Sequence, residues 1–168
     1  MLLNEKRSFK GDDLKSRIAL ALEKHRGPFE VGLYGGNIFN IIPEELRRLF
    51  SFFERHRGSI TNFAISTKPV PLDDEVISIL KENNVTTIEL GIPSFNNGIL
   101  EALNRKHTKE DLYKAFQRLT YDGFRVALQV MVGLPRETMA DIRETVENII
   151  SLKPAFLRIY PLAFIQGT

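Results

Sequence analysis

The chain of 168 residues contains no cysteine. Its own residues can therefore form no disulfide, no thiolate nucleophile and no thiolate-held metal or iron–sulfur centre. It also lacks long apolar runs, and none approaches the roughly 18 residues that a membrane-spanning helix needs. The N-terminal segment MLLNEKRSFK turns charged after three residues, unlike a signal peptide. These absences predict a cytoplasmic protein without membrane association.

The chain has no strong excess of either charge. Lys and Arg together number 23 and Asp and Glu 21, which leaves a net charge of +2 and no nucleic-acid signature. Charged residues make up 26% and hydrophobic residues 43%, a mixture typical of globular proteins. The length predicts one domain over residues 1–168, with 1–11 as a flexible lead-in.

Histidine is scarce, and none of the three histidines suits a metal site. His25, His56 and His107 lie in or beside predicted helices without ligand spacing. We interpret them as surface residues. No serine–histidine–aspartate constellation can be argued either.

A strand–loop–helix pattern recurs along the chain. Hydrophobic periodicity and turn residues predict helices at 12–25, 43–58, 73–83, 97–103, 108–121 and 138–152, and strands at 29–34, 60–65, 85–92, 124–132 and 156–160. Alternating strands and helices predict a parallel sheet with right-handed crossovers. A doubly wound sheet and a curved (βα) barrel both fit this order.

The two faces of the predicted strands differ in polarity. Ile88 and Leu90 share one face of their strand, while Thr87 and Glu89 share the other. The same division places one polar set on a common face: Asn62, Ser66, Thr87, Glu89, Gln129, Arg158 and Tyr160. A closed barrel would fill its interior with Val, Ile and Leu. We therefore predict an α/β partial (βα) barrel, a curved parallel sheet of about five strands with helices on its outer face and a wet or ligand-filled lumen.

Glu89 and Arg158 on this face need partners, because burying either charge alone costs several kcal/mol. We expect them to pair with each other, with a ligand or with water, and a purely structural ion pair remains open. Ligands of parallel sheets bind at the carboxyl ends of strands. Those ends carry Gly35-Gly36-Asn37, Ser66-Thr67, Pro93-Ser94, Gly133-Leu134-Pro135 and Tyr160-Pro161. The glycine pair is also compatible with a simple tight turn, and it is neither a Walker loop nor a GxGxxG motif.

Five motifs, in order, resemble those of the radical S-adenosylmethionine superfamily: YGGN, STKP, ELGIPSFNNGILEALNRKHT, LQVMVGLPRET and RIYPLAFIQGT. The branch most similar is that of the oxygen-independent coproporphyrinogen oxidases and the elongator catalytic subunit, over about residues 29–168. The resemblance implies a partial barrel whose complete form carries a Cys-x3-Cys-x2-Cys loop. That loop holds a [4Fe–4S] cluster, which binds and reductively cleaves S-adenosylmethionine.

The resemblance also implies a set of cofactor-binding residues. Gly35, Gly36 and Asn37 would contact the methionine part of S-adenosylmethionine. Arg105 would meet its carboxylate, which suits a guanidinium. Ser66 and Gln129 stand at polar ribose-contact positions. The full candidate set is Gly35, Gly36, Asn37, Ser66, Thr67, Glu89, Ser94, Arg105, Gln129 and Gly133.

Two departures from the family pattern stand out. Pro93 occupies the place of a common glutamine, which removes an amide side chain and a backbone donor. The whole cysteine loop and the strand before it are absent. We therefore interpret the chain as an incomplete domain that is inactive alone, with the [4Fe–4S] cluster present only in the complete protein. A porphyrin, a tRNA base and other substrates all remain open.

Two alternative functions remain open. One is a cluster-free module for nucleotide-like ligands or for protein interaction. The other is an ordinary TIM-type enzyme that uses Glu89 and Arg158. As partners we expect a small-molecule cofactor and, through the uncovered edge strand at 29–34, a second copy of the chain, because open edges invite pairing.

Overall fold

The computed structural model describes residues 11–24, 27–34 and 37–163, with side chains from residue 18 onward. Five parallel strands form one sheet in the order β1-β2-β3-β4-β5. The strands are β1 (Phe29–Leu33), β2 (Ile60–Thr67), β3 (Val85–Gly91), β4 (Arg125–Val132) and β5 (Leu157–Pro161). The helices are α1 (Gly11–Lys24), α2 (Pro43–Ser51), α3 (Asp74–Glu82), α4 (Asn97–Ala102), α5 (Lys109–Tyr121) and α6 (Met139–Leu152).

Local sequence signals account for where the helices begin. Pro43 occupies the first turn of α2, where its missing N–H costs nothing. The Thr108 hydroxyl accepts from the Asp111 N–H, and the Asp111 carboxylate accepts from the Thr108 N–H. Thr138 and Asp141 form the same capping box at α6. The predicted helix 43–58 ends earlier, at Ser51, and a 3₁₀ turn at Glu54–His56 follows it.

The hydrophobic core lies between the outer face of the sheet and the helices. Ile65, Ile88, Leu90 and Leu128 point outward from the three central strands and are 0% exposed. Beneath α2, the Phe63 ring meets the rings of Phe50 and Phe53 edge to face. Burial of these apolar side chains stabilises the packing of the helices against the sheet.

The inner face of the sheet is polar, as predicted. Strand register brings Ser66 of β2 beside Glu89 of β3, and Gln129 of β4 beside Arg158 of β5. These side chains face the lumen of a curled half-barrel rather than the helices. The predicted α/β partial barrel with a polar lumen is therefore confirmed, and the doubly wound alternative is wrong.

One part of the prediction is wrong, because the outer face of β5 is not covered. Helices were expected over the whole outer face of the sheet, but Leu157 and Ile159 on this face of β5 are 36% and 56% exposed. β5 lies at the end of the strand order, so within the described residues it has β4 on one side and no strand on the other. No helix in the described part of the chain is long and apolar enough to cross a membrane.

Candidate functional site

The centre of the lumen is a carboxylate with four hydrogen bonds. Glu89 is 0% exposed, and Arg158 donates to it through Nε at 2.7 Å and Nη2 at 3.1 Å. Gln129 donates through Nε2 at 2.7 Å, and the Tyr34 hydroxyl donates at 2.8 Å. The Arg158 guanidinium also lies 5.8 Å from the ring centroid of Tyr34. These donors satisfy a buried charge that would otherwise be costly.

This network keeps Glu89 ionised. Burial opposes the charged form most strongly, but the hydrogen bonds from Arg158, Gln129 and Tyr34 together outweigh it and lower the pKa of Glu89 below its ordinary 4.5. Burial and the bond to Glu89 raise the pKa of the Tyr34 hydroxyl. The hydrogen bond to Glu89 likewise raises the pKa of Arg158. At neutral pH the cluster is therefore a carboxylate, a guanidinium and a neutral phenol.

A cavity of about 290 Å³ lies above the network, at the carboxyl ends of β3, β4 and β5. It brings together Arg105 and Gln129, two residues predicted from different parts of the sequence. The remaining lining residues are Gly91, Pro93, Met131 and Tyr160. A cation, an amide and apolar surface therefore line the same cavity. Its volume is close to the lower end of the roughly 300–1,000 Å³ that is usual for ligand pockets.

Three more predicted residues are hydrogen-bonded at the neighbouring end of β2. The Ser66 hydroxyl donates to Gln129 Oε1 at 3.4 Å, and the Thr67 hydroxyl donates to Asn37 Oδ1 at 2.6 Å. Because Gln129 Nε2 is already bonded to Glu89, its Oε1 is the atom available to a hydroxyl donor. Asn37 follows Gly35 and Gly36, which lie outside the described residues.

Ser94 and Gly133 have local structural partners. Ser94 is 0% exposed, and its hydroxyl accepts from the Asn96 N–H at 3.1 Å. Gly133 has φ +80, which favours glycine, and its N–H donates to Glu137 Oε2 at 2.7 Å. Neither residue lines the cavity that holds Arg105 and Gln129.

The prediction that the histidines lie on the surface is wrong for His107. Its ring is 4% exposed, and its Nε2 is buried without a hydrogen-bond partner. Burial, reinforced by the positive charges of Arg105 and Lys68, lowers the pKa of His107. His56 is half-buried, and His25 lies outside the described residues. Among the described residues, no group of three or more His, Cys, Asp or Glu side chains could hold a metal ion.

The sequence interpretation missed Tyr34 and Met131 as site residues, and it placed Tyr160 on the polar face and at a strand end but not in the cofactor-binding set. Tyr34 reaches Glu89 from the edge strand, 55 residues away along the chain. A signal was present, since Tyr34 shares the period-two inner face with Glu30 and Gly32. Nothing in the spacing, however, predicts that the lumen is narrow enough for this contact.

A second cavity, of about 390 Å³, lies below the network toward the amino ends of the strands. Glu30, Thr87 and Arg125 line it together with the underside of the Glu89–Arg158 pair. The Glu89–Arg158 network therefore separates the upper cavity from the lower cavity within the lumen. Only the upper opening lies at the carboxyl ends, where parallel α/β sheets bind ligands.

The half-barrel fold and the cavity at the carboxyl ends of its strands define a class of α/β-barrel proteins. Comparisons with known proteins identify the family within that class. The family model of the radical SAM superfamily matches residues 5–149, so the chain belongs to this superfamily. The chain is 33% identical over 131 residues to the heme chaperone HemW of Lactococcus lactis, a match covering 76% of this chain and 35% of HemW. It thus spans about a third of the length of that curated relative.

Two solved structures share the fold. Coproporphyrinogen III oxidase (HemN) from Escherichia coli superimposes with a TM-score of 0.73 at 18% identity, over 93% of this chain and 39% of that one. Elp3 from Methanocaldococcus infernus superimposes with a TM-score of 0.75 at 22% identity, over 93% of this chain and 42% of that one. At such identities the likeness supports the half-barrel architecture alone.

Proposed function

We propose that the chain is the S-adenosylmethionine-binding core of a radical enzyme, with the upper cavity as the cofactor site. The observation that carries this proposal is the meeting of Arg105 and Gln129 in one cavity at the carboxyl ends of the strands. Arg105 offers a guanidinium to the carboxylate of the cofactor, in the bidentate manner that suits arginine. Gln129 offers the second lone pair of Oε1 to a ribose hydroxyl, because Glu89 engages its amide nitrogen and Ser66 donates to the same oxygen.

Neighbouring residues support the same assignment. The cavity is smaller than a whole nucleoside with its amino acid, so it would take one part of the cofactor, with Asn37 and Thr67 beside the remainder. Pro93 lines the cavity and contributes apolar surface instead of an amide. When bound, S-adenosylmethionine supplies a sulfonium whose reductive cleavage starts radical chemistry in this superfamily.

The [4Fe–4S] cluster of the superfamily does not fit the residues of this chain. Such clusters are held by cysteine thiolates, and the sequence has none. We therefore assign no catalytic step to the chain by itself and propose that the cluster belongs to a region of the complete protein outside these 168 residues. Reconstitution with iron and sulfide under reducing conditions should give no thiolate-to-iron absorption, and a brown protein with that absorption would refute this part.

Titration calorimetry with S-adenosylmethionine tests the binding site. We expect measurable binding by the 168-residue chain and at least about tenfold weaker binding for Arg105→Ala and for Gln129→Leu, because each loses a polar contact to the cofactor. Arg125→Ala is the matched control, since Arg125 lines only the lower cavity. Absence of binding at millimolar cofactor, or equal affinities for Arg105→Ala and the parent chain, would overturn the proposal.

The absence of cysteine also favours a second candidate, a cluster-free module that binds a nucleotide-like ligand in the same cavity. The two candidates differ in ligand preference. A radical-enzyme core should prefer S-adenosylmethionine to adenosine, because Arg105 needs a carboxylate to contact. Equal affinity for adenosine would favour the cluster-free module.

A further inference from the structure

The inner face of β3 passes from the lower cavity, through the Glu89–Arg158 network, to the upper cavity. From Thr87 onward the residues on this face are Thr87, Glu89 and Gly91, each two positions from the last. Thr87 and Glu89 line the lower cavity, whereas Gly91 lines the upper cavity. Along this strand the upper cavity therefore begins at an inward position that has no side chain.

The backbone does not require glycine at position 91. Gly91 lies in the extended backbone of β3 and is the register partner of Gln129 in β4. Gly133, by contrast, has φ +80, a conformation that favours glycine. Glycine inside a strand is unfavourable, because it loses more conformational freedom on folding than alanine and has no side chain to pack. Its presence in β3 therefore needs another explanation.

Packing within the protein does not require glycine at position 91 either. A Cβ added to Gly91 would lie 3.6 Å from the carbonyl oxygen of Thr67 and 3.9 Å from Oε1 of Gln129. Both are ordinary van der Waals distances, so no described atom would have to move to accept alanine. A glycine that neither the backbone nor the packing requires is typical of a place where a bound molecule approaches the backbone closely.

The space beside Gly91 adjoins the Gln129 oxygen that is available to a ligand. Ser66 donates to Oε1 of Gln129 and Glu89 accepts from its Nε2, which leaves one lone pair of Oε1 for a donor in the cavity. A hydroxyl that donates to this lone pair lies about 2.8 Å from Oε1. The carbon that carries such a hydroxyl then lies about as far from Oε1 as the added Cβ would. A methyl group at position 91 would therefore compete with that carbon for the same space.

We propose that Gly91 is a specificity-determining residue of the upper cavity, because its missing side chain admits a sugar ring whose hydroxyl donates to Gln129 Oε1. This inference rests on the proposed function only in placing a ribose-bearing ligand in the cavity. It concerns the sugar, which S-adenosylmethionine and adenosine share. Arg105 concerns the carboxylate, which adenosine lacks. A change at Gly91 should therefore weaken the binding of both ligands, whereas a change at Arg105 should weaken S-adenosylmethionine alone.

Titration calorimetry of Gly91→Ala with S-adenosylmethionine and with adenosine tests the inference, and urea unfolding of the same variant gives a second readout. We expect both ligands to bind at least about tenfold more weakly than to the parent chain. We also expect the unfolding midpoint to stay the same or rise, because alanine loses less conformational freedom on folding. A purely structural glycine would instead lower it. Gly58→Ala is the matched control, since an added Cβ there contacts no described atom within 4 Å.

The outcomes separate this inference from the cofactor proposal. Parent affinity of Gly91→Ala for adenosine, or a lower unfolding midpoint in Gly91→Ala, would overturn the role of Gly91. A parent chain that binds adenosine as tightly as S-adenosylmethionine would overturn the cofactor proposal, whereas weaker adenosine binding by Gly91→Ala would still support the inference. A parent chain that binds neither ligand would overturn both.

Discussion

Two leucines at the same level of the sheet show how differently its centre and its edge are built. Leu128 of β4 and Leu157 of β5 are register partners on the same outer face, yet Leu128 is 0% exposed and Leu157 is 36% exposed. The next outward pair repeats the contrast, with Val130 at 2% and Ile159 at 56%. β4 lies between two strands and packs against α5, whereas β5 lies at the end of the strand order. Burial therefore depends on what packs over a strand, and identical sequence patterns can have opposite outcomes.

The largest expected effect is a difference in unfolding free energy between the alanine variants of these two leucines. Leu128→Ala should destabilise the chain by about 3 kcal/mol, because it leaves a cavity in a closed core. Leu157→Ala should cost less than about 1 kcal/mol, since part of that side chain already contacts water. Urea unfolding at low protein concentration measures both. Equal losses would show that the edge strand is as tightly packed as the centre.

A second experiment addresses the inner face of the sheet, where Arg158 of the edge strand β5 donates to Glu89 of the central strand β3. Glu89→Gln should cost about 2 kcal/mol at neutral pH, because the hydrogen bonds to a carboxylate lose their charge. The lowered pKa of Glu89 means that its stabilisation is fully present above pH 4.5 and is lost as the pH falls through the folded-state value.

Unfolding free energies between about pH 7 and about pH 3 check the titration of Glu89. The parent chain should lose more stability than Glu89→Gln over the acid part of this range. If both lose the same amount, Glu89 is not the responsible group.

The capping boxes of α5 and α6 provide a third comparison, for which a smaller effect on stability is expected. Thr108→Ala and Thr138→Ala should each cost about 1 kcal/mol. α5 buries Leu112, Ala115, Phe116 and Leu119, whereas Thr145 is the buried residue of α6. Hydrogen exchange should therefore show local opening of α6 in Thr138→Ala, while loss of the α5 cap should appear in global unfolding. Global behaviour in both variants would contradict the weaker packing of α6.

The smallest effect is expected for His107, the buried counterpart of the half-buried His56. A lowered pKa means that the unfolded chain binds the proton more readily, so stability should decline as the pH falls below about 6.5. His107→Leu should remove this decline, and His56→Leu is the matched control. Thermal melts across this pH range measure it. An unchanged decline in His107→Leu would assign it to other groups.

Much of the fold follows from local patterns that can be read along the chain. Period-two alternation in 85–92 places Leu90 outside and Glu89 inside, and the structure confirms both, with Leu90 in the hydrophobic core and Glu89 lining a lumen cavity. The cost of burying either charge alone predicts a partner for Glu89, and the structure supplies Arg158, one of the partners that the sequence left open. Thr108 and Thr138 begin their helices because their hydroxyls accept the first orphan N–H groups. The alternation and the helix caps are short-range effects, which can be read from neighbouring residues.

The candidate site is less predictable, since it depends on distances across the lumen. The structure brings Arg105 beside Gln129, but it gives Ser94 and Gly133 local partners instead. Tyr34 was missed because its contact with Glu89 depends on how far the sheet curls. His107 was expected at the surface because it lies beside a predicted helix without metal-ligand spacing, yet its ring is buried. Curvature and loop packing are collective properties that no single motif encodes.

By itself the sequence determined the order of strands and helices, the polarity of each face of the sheet and the need of Glu89 for a partner. These follow from backbone geometry and from the energetic cost of an unpaired charge. Only the tertiary structure decided that Tyr34 reaches Glu89, that one cavity joins Arg105 to Gln129 and that Leu157 is exposed where Leu128 is not. The physical reason is that alternation tells which side of a strand a residue occupies, whereas burial depends on packing by segments distant in sequence.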